Sequence, residues 1–248
     1  MKTQKVRIDA LMAERGLVQS RQKAQALIMA GKVTVNGTVI DKAGAAIDPE
    51  SDIFIKEGLP FVSRGGVKLQ GALDEFKADV SGLVILDVGA STGGFTDCLL
   101  KRGAKKVYAI DVGKGLLDIN LRNDPRVVVL EERNIRYLDP ADIGEQADMA
   151  VIDVSFISLE KVLPKVKELI KGSGRILALI KPQFEVGKGK VGKGGIVKDP
   201  LLHKEVIDRI KDFSISLGFD VLGTAESPIK GSKGNIEFWI CLGMKSLP

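Results

Sequence analysis

From residue 84 onward the chain alternates short apolar runs with longer helix-patterned stretches, and few architectures accommodate that rhythm. Parallel strands cannot be joined by a tight turn, so each pair needs a crossover, and the crossover helices cover both faces of the sheet. The apolar runs fall at 84–88, 106–111, 127–130, 149–153, 176–180, 219–222 and 236–242. They predict seven strands with helices between them.

The first part of the chain reads differently. Ile8, Leu11 and Met12 share a helix face that Gly16 ends; Ser20 then caps a second helix carrying Ala24, Leu27 and Ile28. Val33, Val35 and Val39 alternate around Asn36-Gly37, a dipeptide suited to a type I′ hairpin turn, and one more strand is expected at 53–56. This organisation predicts a small α+β domain over residues 1–58, a linker at 59–63 and an α/β domain over 64–248. Charge divides the same way. Residues 1–42 hold eight Lys or Arg against three acids, whereas the rest of the chain carries 29 of each sign. The N-terminal domain is therefore the part suited to a polyanion.

Several classes of function are disfavoured. At 44% hydrophobic and 28% charged residues the composition is that of a folded globular protein. No apolar run approaches the ~20 residues of a membrane helix, and Met1 to Arg15 lacks the apolar core of an export signal, so a cytoplasmic protein with no membrane partner is expected. Cys98 and Cys241 stand outside any Cys-x-x-Cys pair and read as core residues; no cluster suggests a metal. The single histidine, His203, lies in a helix expected over 201–217, away from every motif.

The richest local signal is Leu86-Asp87-Val88-Gly89-Ala90-Ser91-Thr92-Gly93-Gly94-Phe95-Thr96, where the first strand enters a helix. Its glycines allow a sharp turn and close approach of a ligand. Asp111 ends the next strand, where a carboxylate can accept hydrogen bonds from the hydroxyls of a nucleoside ribose. A dinucleotide site would read Gly-x-Gly-x-x-Gly around a pyrophosphate, and Ala90-Ser91-Thr92 breaks that spacing. S-adenosylmethionine, which has no phosphate, suits the loop better. A second glycine-rich stretch, 187–194, resembles a phosphate loop but has Gly194 where Ser or Thr would bind magnesium; it reads as a basic lid or as a solvated loop.

Four charges stand where strand ends or motif positions make surface decoration a poor account: Lys68 after Ser63-Arg64-Gly65-Gly66-Val67, Asp153 after Met149-Ala150-Val151-Ile152, Lys181 after Ile176-Leu177-Ala178-Leu179-Ile180, and Glu237 at the start of the last strand. At these residues the sequence resembles the FtsJ-like ribose methyltransferases, and within them the TlyA group of rRNA methyltransferases, historically called haemolysins. The resemblance runs over essentially the whole chain, through 62–69, the loop 89–96, Asp153-Val154-Ser155-Phe156-Ile157-Ser158-Leu159 and Lys181-Pro182-Gln183-Phe184-Glu185-Val186-Gly187. Residues 7–37 likewise resemble the αL RNA-binding domain first seen in a small-subunit ribosomal protein.

What the resemblance implies is specific. The fold would be a Rossmann-like class I methyltransferase sheet of seven strands, the last antiparallel. Lys68, Asp153, Lys181 and Glu237 would be the catalytic tetrad. Gly89, Ala90, Ser91, Gly93, Gly94, Phe95, Asp111, Asn134 and Asp153 would hold S-adenosylmethionine. Lys5, Arg7, Arg21, Lys23, Lys32, Arg64 and Lys188 would contact RNA. The substrate implied is a cytidine ribose of ribosomal RNA, with a lean toward the large subunit because the chain stops soon after its last strand. A ribose hydroxyl is a poor nucleophile, so a base or strong hydrogen-bond partner must sit beside it. Lys181 is assigned that role. It could act as an amine taking the proton, or as a fixed cation stabilising the alkoxide.

Rival readings are a nucleobase methyltransferase, a membrane-lysing toxin and a catalytically silent assembly factor. Amino-directed enzymes place an Asn- or Asp-Pro-Pro-aromatic motif where this chain reads Asp153-Val154-Ser155-Phe156. A toxin would need an amphipathic or spanning segment. The intact tetrad argues against a silent factor.

Overall fold

A computed structural model of the chain describes residues 5–29, 31–55, 60–187 and 189–245. It divides into two compact units, 1–60 and 61–248.

The first unit contains β1 (Val6–Arg7), α1 (Ile8–Glu14), α2 (Arg21–Met29), β2 (Val33–Val35), β3 (Thr38–Ile40), β4 (Ala46–Ile47) and β5 (Ile53–Ile55). β2 lies between β3 and β5 in an antiparallel sheet, and β1 pairs with β4. Ser20 caps α2 by accepting from the Lys23 amide at 3.2 Å. Asn36 and Gly37 both have positive φ, 48° and 81°, as a type I′ turn demands. Ile8, Met12, Ala24, Ile28 and Val33 are fully buried between the helices and the sheet. Lys56, expected to end the last strand, lies outside the described residues.

The second unit contains α3 (Arg64–Glu75), β6 (Val84–Val88), α4 (Gly94–Lys101), β7 (Lys106–Ile110), α5 (Ile119–Arg122), β8 (Val127–Leu130), α6 (Pro140–Ile143), β9 (Ala147–Ile152), α7 (Leu163–Leu169), β10 (Ile170–Ile180), α8 (Pro182–Glu185), α9 (Pro200–Ser216), β11 (Phe219–Glu226) and β12 (Phe238–Met244). Seven strands form one sheet in the order β11-β12-β10-β9-β6-β7-β8, with β12 antiparallel to both neighbours. The sheet has the expected strand number and the expected antiparallel last strand.

Alternate residues of each strand enter two separate cores, as a sheet buried on both faces requires. Ile85, Val107, Ala109 and Val151 pack with Leu69 and Leu73 of α3 and Leu99 of α4. Leu86, Tyr108, Ala150 and Ile152 pack with Leu163 and Val166 of α7 and Ile210 of α9. Phe61, expected in the linker, is buried in the first of these cores.

This topology sets the position of the site. From β6 the chain adds β7 and β8 on one side, then crosses to add β9 and β10 on the other, so the winding reverses between β6 and β9. In such sheets the crevice beyond the carboxyl ends at the reversal binds ligands. Gly89 and Asp153 meet there: the Asp153 amide donates to the Val88 carbonyl at 2.9 Å. A Cβ on Gly89 would stand 2.5 Å from the Asp153 carbonyl oxygen, and φ at Gly89 is +89°. Only glycine fits. Several strand limits differ from expectation: β7 ends at Ile110, β9 runs from Ala147 to Ile152, β10 starts at Ile170, β11 extends to Glu226 and β12 runs from Phe238 to Met244. Asp153 and Glu237 therefore flank their strands, where side chains are free to turn into the crevice.

Candidate active site

Two cavities adjoin at the reversal. One, of about 720 Å³, is lined by Gly89, Ser91, Asp111, Asn134, Asp153 and Ile135 among others. The Asp111 carboxylate accepts from the Ser91 amide at 2.8 Å and the Gly113 amide at 2.7 Å, which fixes it at the cavity wall with lone pairs to spare. Glu131 braces the loop that follows. It accepts from the amides of Gly115, Leu116 and Leu117 and from Arg122, and the Arg122 guanidinium chiefly holds its acid down to about 2. Sequence reasoning passed over Glu131, because its partners become neighbours only through the loop.

The cavity fits an adenosine-bearing group. Its volume is in the range of small-molecule sites, about 300–1,000 Å³, and a Cβ at Gly89 would displace the wall it shares with Asp153. Ala90, Gly94 and Phe95 line the neighbouring cavity instead. Gly93, with φ of +92°, lies under Leu117 and Leu121, which a side chain would strike.

The second cavity, about 570 Å³, collects all four charges picked out from sequence. Lys68, buried on α3, donates from Nζ to Glu237 Oε2 at 2.7 Å. Lys181 Nζ pairs with the Asp153 carboxylate and donates to Ser155 Oγ at 2.9 Å. The tetrad is thus resolved into two ion pairs. Ion pairs this enclosed repay their desolvation only with good geometry and add little stability, which points to a functional reason for keeping them. Gly89, Ser91, Asp153, Ser155, Phe156 and Phe184 line both cavities and form the boundary between them.

Phe156 lies in the motif that begins at Asp153, where its residue type alone signals no role. It is 89% exposed, has φ of +63°, and its ring centroid lies 4.8 Å from that of Phe184. A bulky residue in the left-handed region is strained and persists only where its surroundings impose it. Glu185, also passed over, is buried and accepts from the Leu159 amide at 2.8 Å and Ser158 Oγ at 2.7 Å, tying the Asp153 loop to the helix that follows Lys181; burial raises its pKa. Asn235 accepts from the Val197 amide and donates to the Gly195 carbonyl, both at 2.9 Å, fastening the end of the second glycine-rich loop beside the cavity. In a sequence each of these is an ordinary motif or core residue.

The remaining expectations fare unevenly. Arg64 lines the second cavity and donates to the Lys230 carbonyl at 2.8 Å. Lys5, Arg7, Arg21, Lys23 and Lys32 are exposed on the first unit, but Arg7 and Arg21 are tied to Asp9. Lys188 lies outside the described residues. His203 is buried, with Nε2 2.9 Å from the Val197 carbonyl, and Cys98 and Cys241 are buried free thiols. No helix of the described residues is long and apolar enough to cross a membrane.

Beneath the loop, Asp87 is fully buried. It accepts from Thr96 Oγ1 at 2.6 Å, its Oδ1 has no partner, and burial pushes its pKa up to about 7 from 3.8. The folded protein then holds a proton that the unfolded chain loses near pH 4. Stability contributed by this group is present below that point and is lost as pH rises from about 4 to about 7. Asp87→Asn, which mimics the protonated acid, is expected to flatten that part of the profile. Tm measured from pH 5 to 8 should fall more for the wild type than for the variant, by the equivalent of about 1–4 kcal/mol; parallel profiles would contradict this.

Comparison with known proteins bears on the same residues. Residues 61–244 match the FtsJ-like methyltransferase family and residues 6–53 the S4 domain. The 16S/23S rRNA (cytidine-2′-O)-methyltransferase TlyA of Mycobacterium tuberculosis is 46% identical over 96% of this chain and 90% of its own length. The 23S rRNA (cytidine-2′-O)-methyltransferase TlyA of Campylobacter jejuni is 34% identical over 94% of this chain and 98% of its own. A solved structure from Streptococcus thermophilus that carries the label hemolysin superposes with a TM-score of 0.76, at 43% identity, covering 99% of this chain and 90% of its own. With the expected sheet, a nucleoside-sized cavity at its reversal and two ion pairs beside it, the chain belongs to the FtsJ-like methyltransferase family.

Proposed function

We propose that this protein transfers a methyl group from S-adenosylmethionine to the ribose 2′-hydroxyl of a cytidine in ribosomal RNA. The observation that carries the reading is the shared wall of Gly89, Ser91, Asp153, Ser155, Phe156 and Phe184: it separates a nucleoside-sized cavity from one lined by Lys68, Lys181, Asp153 and Glu237. A methyl transfer needs donor and acceptor sites that meet at one point, and much of its acceleration comes from holding oxygen, carbon and sulfur in line.

S-adenosylmethionine supplies an electrophilic methyl on a sulfonium. Asp111 would receive the hydroxyls of its ribose, and Gly89, Ser91, Asn134 and Asp153 would complete the pocket. In the second cavity Lys181 Nζ lies beside the target hydroxyl, with Ser155 Oγ and Asp153 fixing its position. Lys181 is the partner of the 2′-hydroxyl in one of two ways: as an amine it takes the hydroxyl proton, or as a fixed cation it stabilises the developing alkoxide while the proton leaves through Asp153 or water. Lys68 and Glu237, which line the same cavity, neutralise one another. The exposed ring of Phe156 offers a stacking surface for an unpaired base, the usual way single-stranded RNA is held.

The organisation follows. Residues 1–58 serve as the RNA-binding module and 64–248 as the catalytic one. The relatives' names share 23S rRNA, which favours the large subunit, and a ribosomal substrate implies a cytoplasmic enzyme. Asp111→Ala tests the donor site: calorimetry should show S-adenosylmethionine bound at least ~10-fold more weakly, as losing charge-assisted hydrogen bonds worth ~1.5–3 kcal/mol requires. Unchanged affinity would remove Asp111 from the pocket.

A further inference from the structure

Asp9 has 0% exposure, yet four donor groups converge on it: Arg7 Nε and Nη2, both at 3.0 Å, Arg21 Nε at 2.9 Å and Gln25 Nε2 at 2.8 Å. Both arginines remain about half exposed, at 52% and 51%. The carboxyl is held well below the usual carboxylate range, chiefly by its hydrogen bonds to Arg7. Arg7 engages Asp9 through one edge and rests its guanidinium on the backbone of Gly44, where a Cβ would come within 3.2 Å of Nη1. Arg21 uses only Nε, leaving both terminal nitrogens without an acceptor among the described residues.

We propose that Asp9 is a positioning residue for RNA, holding Arg7 and Arg21 as a preformed guanidinium pair that receives the phosphate backbone. The inference rests on the reading of the first unit as the RNA-binding module. Free arginines lose much rotamer freedom when they grip a phosphate, and a pair already fixed by a buried carboxylate loses less. A surface salt bridge kept for stability would behave differently, and the difference has a sign. Asp9 cancels part of the positive charge that attracts RNA, so on net charge alone its removal should tighten binding. If Asp9 positions the arginines, removal should weaken it.

The test is fluorescence anisotropy of the full chain with a 23S rRNA transcript over a salt series. Asp9→Asn should bind about ten-fold more weakly despite one more unit of positive net charge, and its log K against log salt should be shallower by roughly one to two phosphate contacts. Arg21→Lys keeps the charge on a half-exposed side chain but cannot hold Asp9 and a phosphate with separate nitrogens; binding about three- to ten-fold weaker is expected. It carries the test if Asp9→Asn fails to fold. Equal or tighter binding by folded Asp9→Asn, or Arg21→Lys indistinguishable from the wild type, overturns the proposal while leaving the RNA-binding reading intact. A wild type that binds no rRNA overturns both.

Discussion

Lys181→Ala is expected to slow methyl transfer by ~10²-fold or more while leaving the fold, cofactor affinity and RNA affinity close to those of the wild type. Lys181 meets Asp153 and Ser155 at the boundary of the two cavities, whereas the Asp111 carboxylate and its bracing amides belong to the cavity that Lys181 does not line. The interaction lost is therefore one made mainly in the transition state, and it should appear in kcat and in kcat/KM to the same extent. Single-turnover rates on rRNA, with calorimetry for the cofactor, separate these quantities. A matching fall in cofactor affinity would instead make Lys181 part of the donor site.

Arginine at the same position sorts the two roles open to a lysine. Guanidinium stays protonated, so Lys181→Arg should remain as slow as Lys181→Ala if the residue takes the proton. Recovery of most of the rate would mean that a fixed positive charge beside the developing alkoxide suffices. The proton would then leave through Asp153 or water.

Much of this site was legible in the sequence because its parts follow rules that act along the chain. The glycine loop follows an apolar run, Asp111 and Asp153 follow others, and each such run must end at the same edge of a parallel sheet. Lys68 and Glu237 are separated by most of the catalytic unit, and the motif resemblance, not spacing, put them together. The Asn36-Gly37 turn and the Ser20 cap were legible for the same local reason. What escaped were residues whose role exists only across space. Glu131 braces the Asp111 loop and Glu185 staples the loop of Asp153 to the helix after Lys181, while Phe156 differs from a core phenylalanine only by exposure and a positive φ. Arg7 and Arg21 were expected to contact RNA, and the buried Asp9 that binds them counted only as one of three acids against eight bases.

Nucleoside mass spectrometry of rRNA tests the assignment of ribose and base together, and its expected effect is all-or-none. In cells carrying the wild-type gene, 23S rRNA should contain a 2′-O-methylcytidine that is missing when the gene is deleted and is not restored by Lys181→Ala. The chemistry makes the readout unambiguous: a methyl on the ribose oxygen removes the nucleophile for alkaline cleavage of the next phosphodiester, so the modified residue also survives as an alkali-resistant dinucleotide. Its appearance only with the active protein is the predicted result. Identical rRNA from wild-type and deleted cells, or a methyl group found on a base in place of the ribose, would contradict it.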